Sequence, residues 1–246
     1  MPANQVKTPK IEAAFFDVDN TIIRGSSSFL FGKAAFTKGF FNRKDLWRFA
    51  WHQFRFISSG ETQHMVTSIK DQALALIAGH KAADLEALTE EVFDLFLKPK
   101  LWPETVRLAK EHVLAGREVW LVTATPQEIA DVLAHRLGLT GGLGTLVERK
   151  DGVLTGQIVG HALHGKHKRR AIKALAKDRN ISLKRSYAYS DSQNDLPMLT
   201  LVGHAVAVNP DNILTQHARA AGWPILDFKK RELRVNKDAD YRAALK

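Results

Sequence analysis

An apolar segment that ends in two aspartates constrains this chain more than any other feature of its sequence. Small and aromatic residues fill positions 13–16, next to Ile11, which predicts a buried strand over residues 11–17. Asp17 and Asp19 stand where this strand ends. Ligands of open α/β sheets bind outside the carboxyl ends of the strands, so we expect both aspartates at the mouth of a site.

Two carboxylates one residue apart require a positive partner. Residues i and i+2 of a strand point to the same side, so Asp17 and Asp19 would repel each other. Mg²⁺ suits such a pair, because this hard cation often joins one or two carboxylates to a substrate phosphate. An Asp-rich turn without an ion is the alternative, and the short Asp-x-Asp pattern does not decide between them.

The composition excludes several classes of protein. With 246 residues, 45% of them hydrophobic, the chain can bury a core in one large domain or two smaller ones. It contains no cysteine, which excludes disulfides and thiolate sites. The first ten residues lack an apolar signal core and no apolar run could span a bilayer, which predicts a cytoplasmic protein. The net charge of +10 favours phosphorylated metabolites, nucleic acid or a membrane surface as partners.

The pattern of predicted elements divides the chain into an interrupted α/β core and a helical insert. Residues 25–102 show helical spacing without a predicted strand, and a Lys-Pro-Lys-Leu-Trp-Pro segment marks their end. Strands and helices alternate from residue 103 onward, which predicts a parallel sheet covered on both faces. The predicted boundaries are 11–24 and 103–228 for the core, 25–102 for the insert and 229–246 for a charged C-terminal tail.

The insert is rich in aromatic and basic residues between positions 29 and 56. Near-helical spacing of several of these aromatic residues predicts the core of a small helical bundle. An apolar, basic rim that faces a substrate or a membrane surface is the alternative interpretation. Two further helices are predicted over residues 61–77 and 82–97. The spaced aromatic residues are Phe36, Phe40, Trp47, Trp51 and Phe54.

Two later strands are also followed by polar residues. Thr123 follows the strand predicted over residues 118–122, and its hydroxyl would either hold a phosphate oxygen or cap the next helix. The strand predicted over 186–190 leads into Asp191, Asn194 and Asp195. A third carboxylate beside Asp17 and Asp19 would complete a Mg²⁺ site, although an N-cap aspartate explains the same pattern.

A basic segment opens the helix predicted over residues 164–179. Lys168 shares a helical face with Ile172 and Leu175, which places its side chain on the buried side. There the ammonium group would balance the carboxylates and bind phosphate. Lys166 faces elsewhere and is the second candidate for the site lysine, while the other cations of this segment are expected to be solvated.

Taken in order, these segments resemble the four motifs of the haloacid dehalogenase superfamily, and the insert resembles the cap of its phosphoserine-phosphatase-like subgroup (subfamily IB). The matching residues are Asp17-Val18-Asp19-Asn20-Thr21, Thr123 after a strand, a lysine at a helix start and Asp191-Ser192-Gln193-Asn194-Asp195. The resemblance covers residues 11–228. It implies a Rossmann-like, three-layer parallel-sheet core with a helical cap domain inserted after the first strand.

The resemblance also implies a Mg²⁺-dependent phosphomonoester hydrolase that acts through an aspartyl-phosphate. Asp17 would be the nucleophile, and Asp19 would protonate the leaving alcohol and later activate water. The implied metal residues are Asp17, Asp19 through its backbone carbonyl, Asp191, and Asp195 through water. The implied phosphate-binding residues are Thr123, Lys168 and Asn194.

One departure from the subgroup concerns the substrate. Its phosphoserine phosphatases carry a glutamate nine positions after the nucleophile, where this chain has Ser26. Phosphoserine is therefore in doubt, and other small phosphorylated metabolites, sugar phosphates and lipid phosphates such as lysophosphatidate stay candidates. A phosphotransferase would use the same aspartyl-phosphate. The alternative from another class is a basic, non-enzymatic protein that binds anions or membranes; no specific nucleic-acid motif is present, and the oligomeric state stays open.

Overall fold

The computed structural model of the protein describes residues 9–41 and 76–229. The aromatic residues predicted at positions 47, 51 and 54, most of the helix predicted over 61–77 and almost all of the predicted tail lie outside the described residues. None of the described helices is long and apolar enough to cross a membrane.

Six parallel strands form the central sheet, which confirms the predicted α/β fold class. Their bounds are β1 (Ala13–Asp17), β2 (Glu118–Pro126), β3 (Gly141–Thr145), β6 (Tyr187–Ser190), β7 (His204–Val208) and β8 (Ile225–Leu226). The strand order is β3-β2-β1-β6-β7-β8, so β1 lies near the centre with β2 and β6 on either side. A separate antiparallel hairpin consists of β4 (Val147–Lys150) and β5 (Val153–Ile158), as the Lys-Asp-Gly turn between them predicts.

Seven α-helices accompany these strands in the described part of the chain. They are α1 (Ser27–Thr37), α2 (Ala82–Val92), α3 (Pro103–Leu114), α4 (Gln127–Arg136), α5 (Lys166–Asp178), α6 (Leu196–Leu199) and α7 (Asn212–Ala221). A π-helical turn, Phe93–Leu97, continues α2, and short 3₁₀ turns span Lys98–Lys100, Leu183–Arg185 and Gln193–Asp195. The described part of residues 25–102 contains helices and no strand of the sheet.

Strand β1 is buried on both faces, because its side chains alternate between two hydrophobic clusters. Ala14 and Phe16 belong to a cluster that also contains Ile129 and Leu133 of α4. Ala13 and Phe15 belong to the other cluster, which contains side chains of α5, α6 and α7. A strand with apolar residues at every position is typical of a parallel sheet that helices cover on both sides.

The chain leaves the sheet after β1 and returns before α3 along two adjacent segments. The Arg24 N–H donates to the carbonyl of Lys100 at 2.7 Å, and the Trp102 N–H donates to the carbonyl of Ile22 at 2.8 Å. Ile23 and Leu101 form an antiparallel bridge between them. This pairing fixes where α1 starts relative to the end of β1. The division of the chain into a core and a cap domain stays a prediction.

Strand β2 is longer than predicted, since it continues through Thr123 to Pro126. Its pairing with β1 ends at Val122, but its pairing with β3 extends to Pro126 after a register shift. Thr123 therefore lies inside β2 rather than in the turn after it. The expectation that the strand stops before Thr123 was wrong, because pairing with β3 keeps the backbone of β2 extended as far as Pro126.

Strand β3 and helix α7 have no counterpart in the sequence analysis. The sequence of β3 is Gly-Gly-Leu-Gly-Thr, and glycine is uncommon in strands because it has no side chain to pack. Close packing explains it here: a Cβ atom at Gly142 would lie 2.6 Å from the carbonyl of Ala130, and one at Gly144 would lie 2.6 Å from Cα of Gln127. The glycines let α4 lie directly on the sheet.

Candidate functional site

A cavity of about 200 Å³ opens where the carboxyl ends of β1, β2 and β6 meet. These three strands are neighbours in the sheet, so residues far apart in the sequence come together at this edge. Every residue that the sequence analysis assigns to the site lines the cavity: Asp17, Asp19, Thr123, Lys168, Asp191, Asn194 and Asp195. The other lining residues are Asn20, Ala124, His164 and Ser192.

A buried group of two carboxylates and one ammonium lies at the bottom of the site. Lys168 Nζ donates to Asp17 Oδ1 at 2.5 Å and to Asp195 Oδ2 at 2.7 Å. Ser190 Oγ donates to the same oxygen of Asp195 at 2.8 Å, and Thr21 Oγ1 donates to Asp17 Oδ2 at 3.2 Å. Since the three ionisable residues are all at least 94% buried, these bonds hold their side chains in one arrangement.

The amphipathic sequence of α5 places Lys168 in this group. Lys168, Ile172 and Ala176 are the buried residues of the helix, and they repeat at intervals of four positions along one face. Lys166 belongs to the same turn but is exposed. The helix follows Gly165, its N-cap, whose φ of 50° lies in the left-handed region that glycine adopts without strain.

Asp19 contacts the start of α1. Its Oδ1 accepts a hydrogen bond from the Ser27 N–H at 2.8 Å and a second one from the Ser27 hydroxyl. Ser26 occupies the position where phosphoserine phosphatases of the subgroup carry a glutamate. It is the exposed N-cap of α1, and its Oγ accepts a hydrogen bond from the Phe29 N–H at 3.4 Å. Ser26 does not line the cavity.

Thr123 is buried and lies beyond the last residue of β2 that pairs with β1. Its Oγ1 accepts hydrogen bonds from the backbone N–H and from the hydroxyl of Thr125, both at 3.2 Å. Because Oγ1 acts as the acceptor in both bonds, its own O–H can still donate to a ligand oxygen in the cavity.

The carboxylates of the cavity outnumber the cations that line it. Burial raises the pKa of Asp17 to about 8, against the opposing effect of Lys168, and the charges of Asp195, Asp19 and Asp191 raise it further. Burial also raises the pKa of Asp191 to about 6, although Lys229 opposes this shift. Burial by itself would lower the pKa of Lys168, but Asp17 and Asp195 outweigh it, so the ammonium form is stabilised.

The donor set fits Mg²⁺ better than it fits a softer metal. Its candidate ligands are oxygen atoms, and the surplus of carboxylates over lysine favours a further cation. Within residues 9–41 and 76–229, no three Asp, Glu or His side chains are arranged to hold an ion by themselves. Mg²⁺ does not need such a group, because it commonly takes one or two carboxylates and completes its shell with water and substrate phosphate.

Several residues at the site were missed from the sequence. Ser190 holds Asp195, Ser27 holds Asp19, and Asn20 and His164 line the cavity. Ser190 could have been found as the last residue of a predicted strand that points into the site. Ser27 could not, because it stands in a run of three serines and only the start of α1 distinguishes it from Ser26 and Ser28.

The family model of haloacid dehalogenase-like hydrolases matches residues 14–200 of this chain. A Mycobacterium tuberculosis protein named phosphoserine phosphatase SerB1 is 48% identical over 218 residues, which are 88% of this chain and 71% of the relative. A Neisseria meningitidis protein named histidinol-phosphatase is 30% identical over 220 residues, 88% of this chain and 98% of the relative. The crystal structure of a Bordetella pertussis protein of unknown function is similar with a TM-score of 0.74 and 27% identity, and the match covers 89% of this chain and 99% of that one.

Proposed function

Since the chain belongs to the family of haloacid dehalogenase-like hydrolases, we propose that it hydrolyses phosphomonoesters through an aspartyl-phosphate at Asp17, with Mg²⁺ as cofactor. The family resemblance seen in the sequence is confirmed, and the chain is a phosphatase of this family. The observation that carries the proposed mechanism is the buried group of Asp17, Lys168 and Asp195 at the carboxyl end of β1, with Asp19 in the same cavity.

In the first step, an oxygen of Asp17 attacks phosphorus and the ester P–O bond breaks. The leaving oxygen takes a proton from Asp19, so the products are an alcohol and an acyl phosphate on Asp17. In the second step Asp19, now a carboxylate, removes a proton from water as the water attacks phosphorus, and the bond between phosphorus and the Asp17 oxygen breaks. Inorganic phosphate leaves, and Asp17 and Asp19 return to their starting protonation states.

Three side chains of the cavity are proposed to bind the transferring phosphoryl group. Lys168 offers a charge-assisted donor beside Asp17, and Thr123 and Asn194 offer a hydroxyl and an amide. These groups would stabilise the charge on the equatorial oxygens, where most of the catalysis of phosphoryl transfer arises. Mg²⁺, when bound, would add Lewis-acid stabilisation of the same charge. Asp17, Asp191 and the carbonyl of Asp19 would hold the ion, with Asp195 supporting its shell through water.

We propose that residues 25–102 form a cap domain that selects the substrate. Their two connections to the sheet are adjacent, and Ser27, the first residue of their first helix, donates a hydrogen bond to Asp19. The proposed substrates are small phosphorylated metabolites or lipid phosphates in the cytoplasm, and a basic chain with a net charge of +10 could also contact an anionic membrane surface. The names of two relatives make phosphoserine and histidinol phosphate the first metabolites to compare.

A panel of phosphomonoesters tests this proposal. Purified enzyme with Mg²⁺ should release inorganic phosphate from at least one ester, and acid quenching should trap a phosphoryl group on the peptide that contains Asp17. Asp17→Asn should abolish both signals, with a loss of at least about 1,000-fold in turnover. Asp178→Asn is the matched control, because Asp178 is exposed at the end of α5. Turnover near the wild-type rate in Asp17→Asn would contradict the mechanism.

A further inference from the structure

Ser27, the first residue of α1, makes two hydrogen bonds to a single oxygen of Asp19. Both its backbone N–H, at 2.8 Å, and its hydroxyl donate to Asp19 Oδ1, and Ser27 is only 1% exposed. From this contact we infer that Ser27 is a positioning residue, which orients the carboxyl group of Asp19 for proton transfer to the leaving alcohol. The inference rests on the proposed role of Asp19 as the acid of the reaction.

Both bonds go to the same oxygen, which determines where the acidic proton is carried. Because Oδ1 already accepts an N–H and an O–H bond, Oδ2 is the oxygen left to exchange a proton with the leaving group. Asp19 lines the cavity, where the leaving oxygen must be protonated. Ser27 therefore fixes the position of Oδ1. This fixes the rotation of the carboxyl group of Asp19, and with it the position of Oδ2 in the cavity.

The start of α1 suits this role because its donors are not needed elsewhere. The first N–H groups of a helix have no partner inside the helix, so they can donate to a side chain outside it. Ser26 serves as the N-cap and accepts from the Phe29 N–H, so the N–H and the hydroxyl of Ser27 stay available to Asp19. Two adjacent serines thus have separate roles.

The contact also connects the acid to the insert. Helix α1 is the first helix of residues 25–102, and the backbone hydrogen bonds from Arg24 to Lys100 and from Trp102 to Ile22 tie both connections of the insert together. Asp19 is thereby held from the side of the insert, while Asp17 is held by Lys168 from α5. The nucleophile and the acid are oriented by different parts of the protein.

The experiment compares leaving groups, because a role that is only structural would affect all substrates alike. An alkyl phosphomonoester such as 2-glycerophosphate releases a strongly basic alkoxide and needs the acid, whereas p-nitrophenyl phosphate releases a weakly basic phenolate and needs it little. Ser27→Ala should lower kcat/KM for 2-glycerophosphate about tenfold and that for p-nitrophenyl phosphate by less than about twofold. The control Ser28→Ala removes the hydroxyl of the next residue of α1, which does not line the cavity and does not cap the helix, and should change neither value by more than about twofold.

Asp19→Asn separates failure of this inference from failure of the proposed function. It should lose more activity than Ser27→Ala with 2-glycerophosphate and show the same dependence on the leaving group. If Asp19→Asn shows that dependence but Ser27→Ala lowers kcat/KM equally for both substrates, or for neither, the inference about Ser27 is overturned and the mechanism stands. If Asp19→Asn keeps wild-type kcat/KM for both esters, the proposed role of Asp19 is wrong. A thermal melt of each variant establishes that the fold is retained.

Discussion

Lys168 Nζ lies 2.5 Å from Asp17 Oδ1, in a pair that is buried away from water. The same ammonium lies 2.7 Å from Asp195, so two carboxylates share one cation. Burial raises the pKa of Asp17, against the opposing charge of Lys168, so the carboxylate form is less stable here than in water. A second positive charge in the cavity would lower this pKa and favour the carboxylate that the proposed reaction needs.

The first prediction separates the two candidate lysines. Lys168→Ala should lower kcat/KM at least about 100-fold, because it removes a charge-assisted donor to the phosphoryl group and leaves Asp17 and Asp195 without their shared partner. Lys166→Ala should change kcat/KM by less than about threefold, since an exposed lysine loses only a solvated charge. Steady-state kinetics on the best ester of the panel measure both. Equal effects, or a larger effect at Lys166, would reverse the assignment.

The second prediction concerns the metal. Activity should vanish with EDTA and return with Mg²⁺, whereas Ca²⁺ should support it poorly because its longer, looser coordination would misplace the phosphoryl group relative to Asp17.

Binding of the ion can be measured without turnover. Mg²⁺ at about 100 times its dissociation constant should stabilise the fold by about 2.7 kcal/mol and raise the melting temperature. Asp191→Asn should lose this shift, whereas Asp151→Asn, in the exposed β4–β5 turn, should keep it. Full turnover in excess EDTA, or an unchanged shift in Asp191→Asn, would contradict the metal assignment.

The arrangement at the edge of the sheet was predictable because strand ends and helical phase are local properties. The apolar run before Asp17 predicts where β1 ends, and the spacing of Lys168 from Ile172 predicts that the lysine lies on the buried face of α5. The parallel sheet then brings the two side chains to the same edge. The structure accordingly has all of the predicted site residues around one cavity. The roles of these residues stay predictions until the variants are measured.

The elements that were missed depend on contacts between distant residues. Strand β3 is recognisable only once α4 is known to lie on Gly142 and Gly144. Helix α7 could have been found, since Asp211 accepts from the Leu214 N–H at its start and Gly222 ends it in the left-handed conformation. The contact of Ser27 with Asp19 requires the position of α1, which a short run of serines does not specify.

The third prediction concerns stability in acid. His112 on α3 packs its ring against Phe16, and its Nε2 lies 2.7 Å from Tyr189 Oη. Burial, with a smaller effect of Arg117, lowers the pKa of His112 to about 4. The unfolded chain binds a proton at His112 near pH 6.5 and the folded protein only near pH 4, so protonation favours unfolding as the pH falls between these values.

We therefore expect His112→Gln to lose less stability than the wild type on acidification. Between about pH 7.5 and about pH 5 the difference should be on the order of 1 kcal/mol, allowing for partial solvation of the ring. Urea unfolding at both pH values measures it, with His135→Gln as the control because the side chain of His135 is 83% exposed. An equal loss of stability in His112→Gln and in the wild type would show that His112 does not titrate as inferred.

The last prediction is that L-phosphoserine is a poor substrate compared with the best ester of the panel. A closed site that binds the ammonium group of phosphoserine needs a compensating carboxylate, since an unpaired buried cation is costly. At the position where the subgroup carries its glutamate, Ser26 is exposed, and its hydroxyl accepts the Phe29 N–H instead of facing the cavity. We expect a kcat/KM for phosphoserine at least about tenfold below that of the best sugar or lipid phosphate, which carries no ammonium group beside the phosphate, with lysophosphatidate as the first lipid to test. A clear preference for phosphoserine would mean that another carboxylate, such as Glu61 outside the described residues, takes over the role of the missing glutamate.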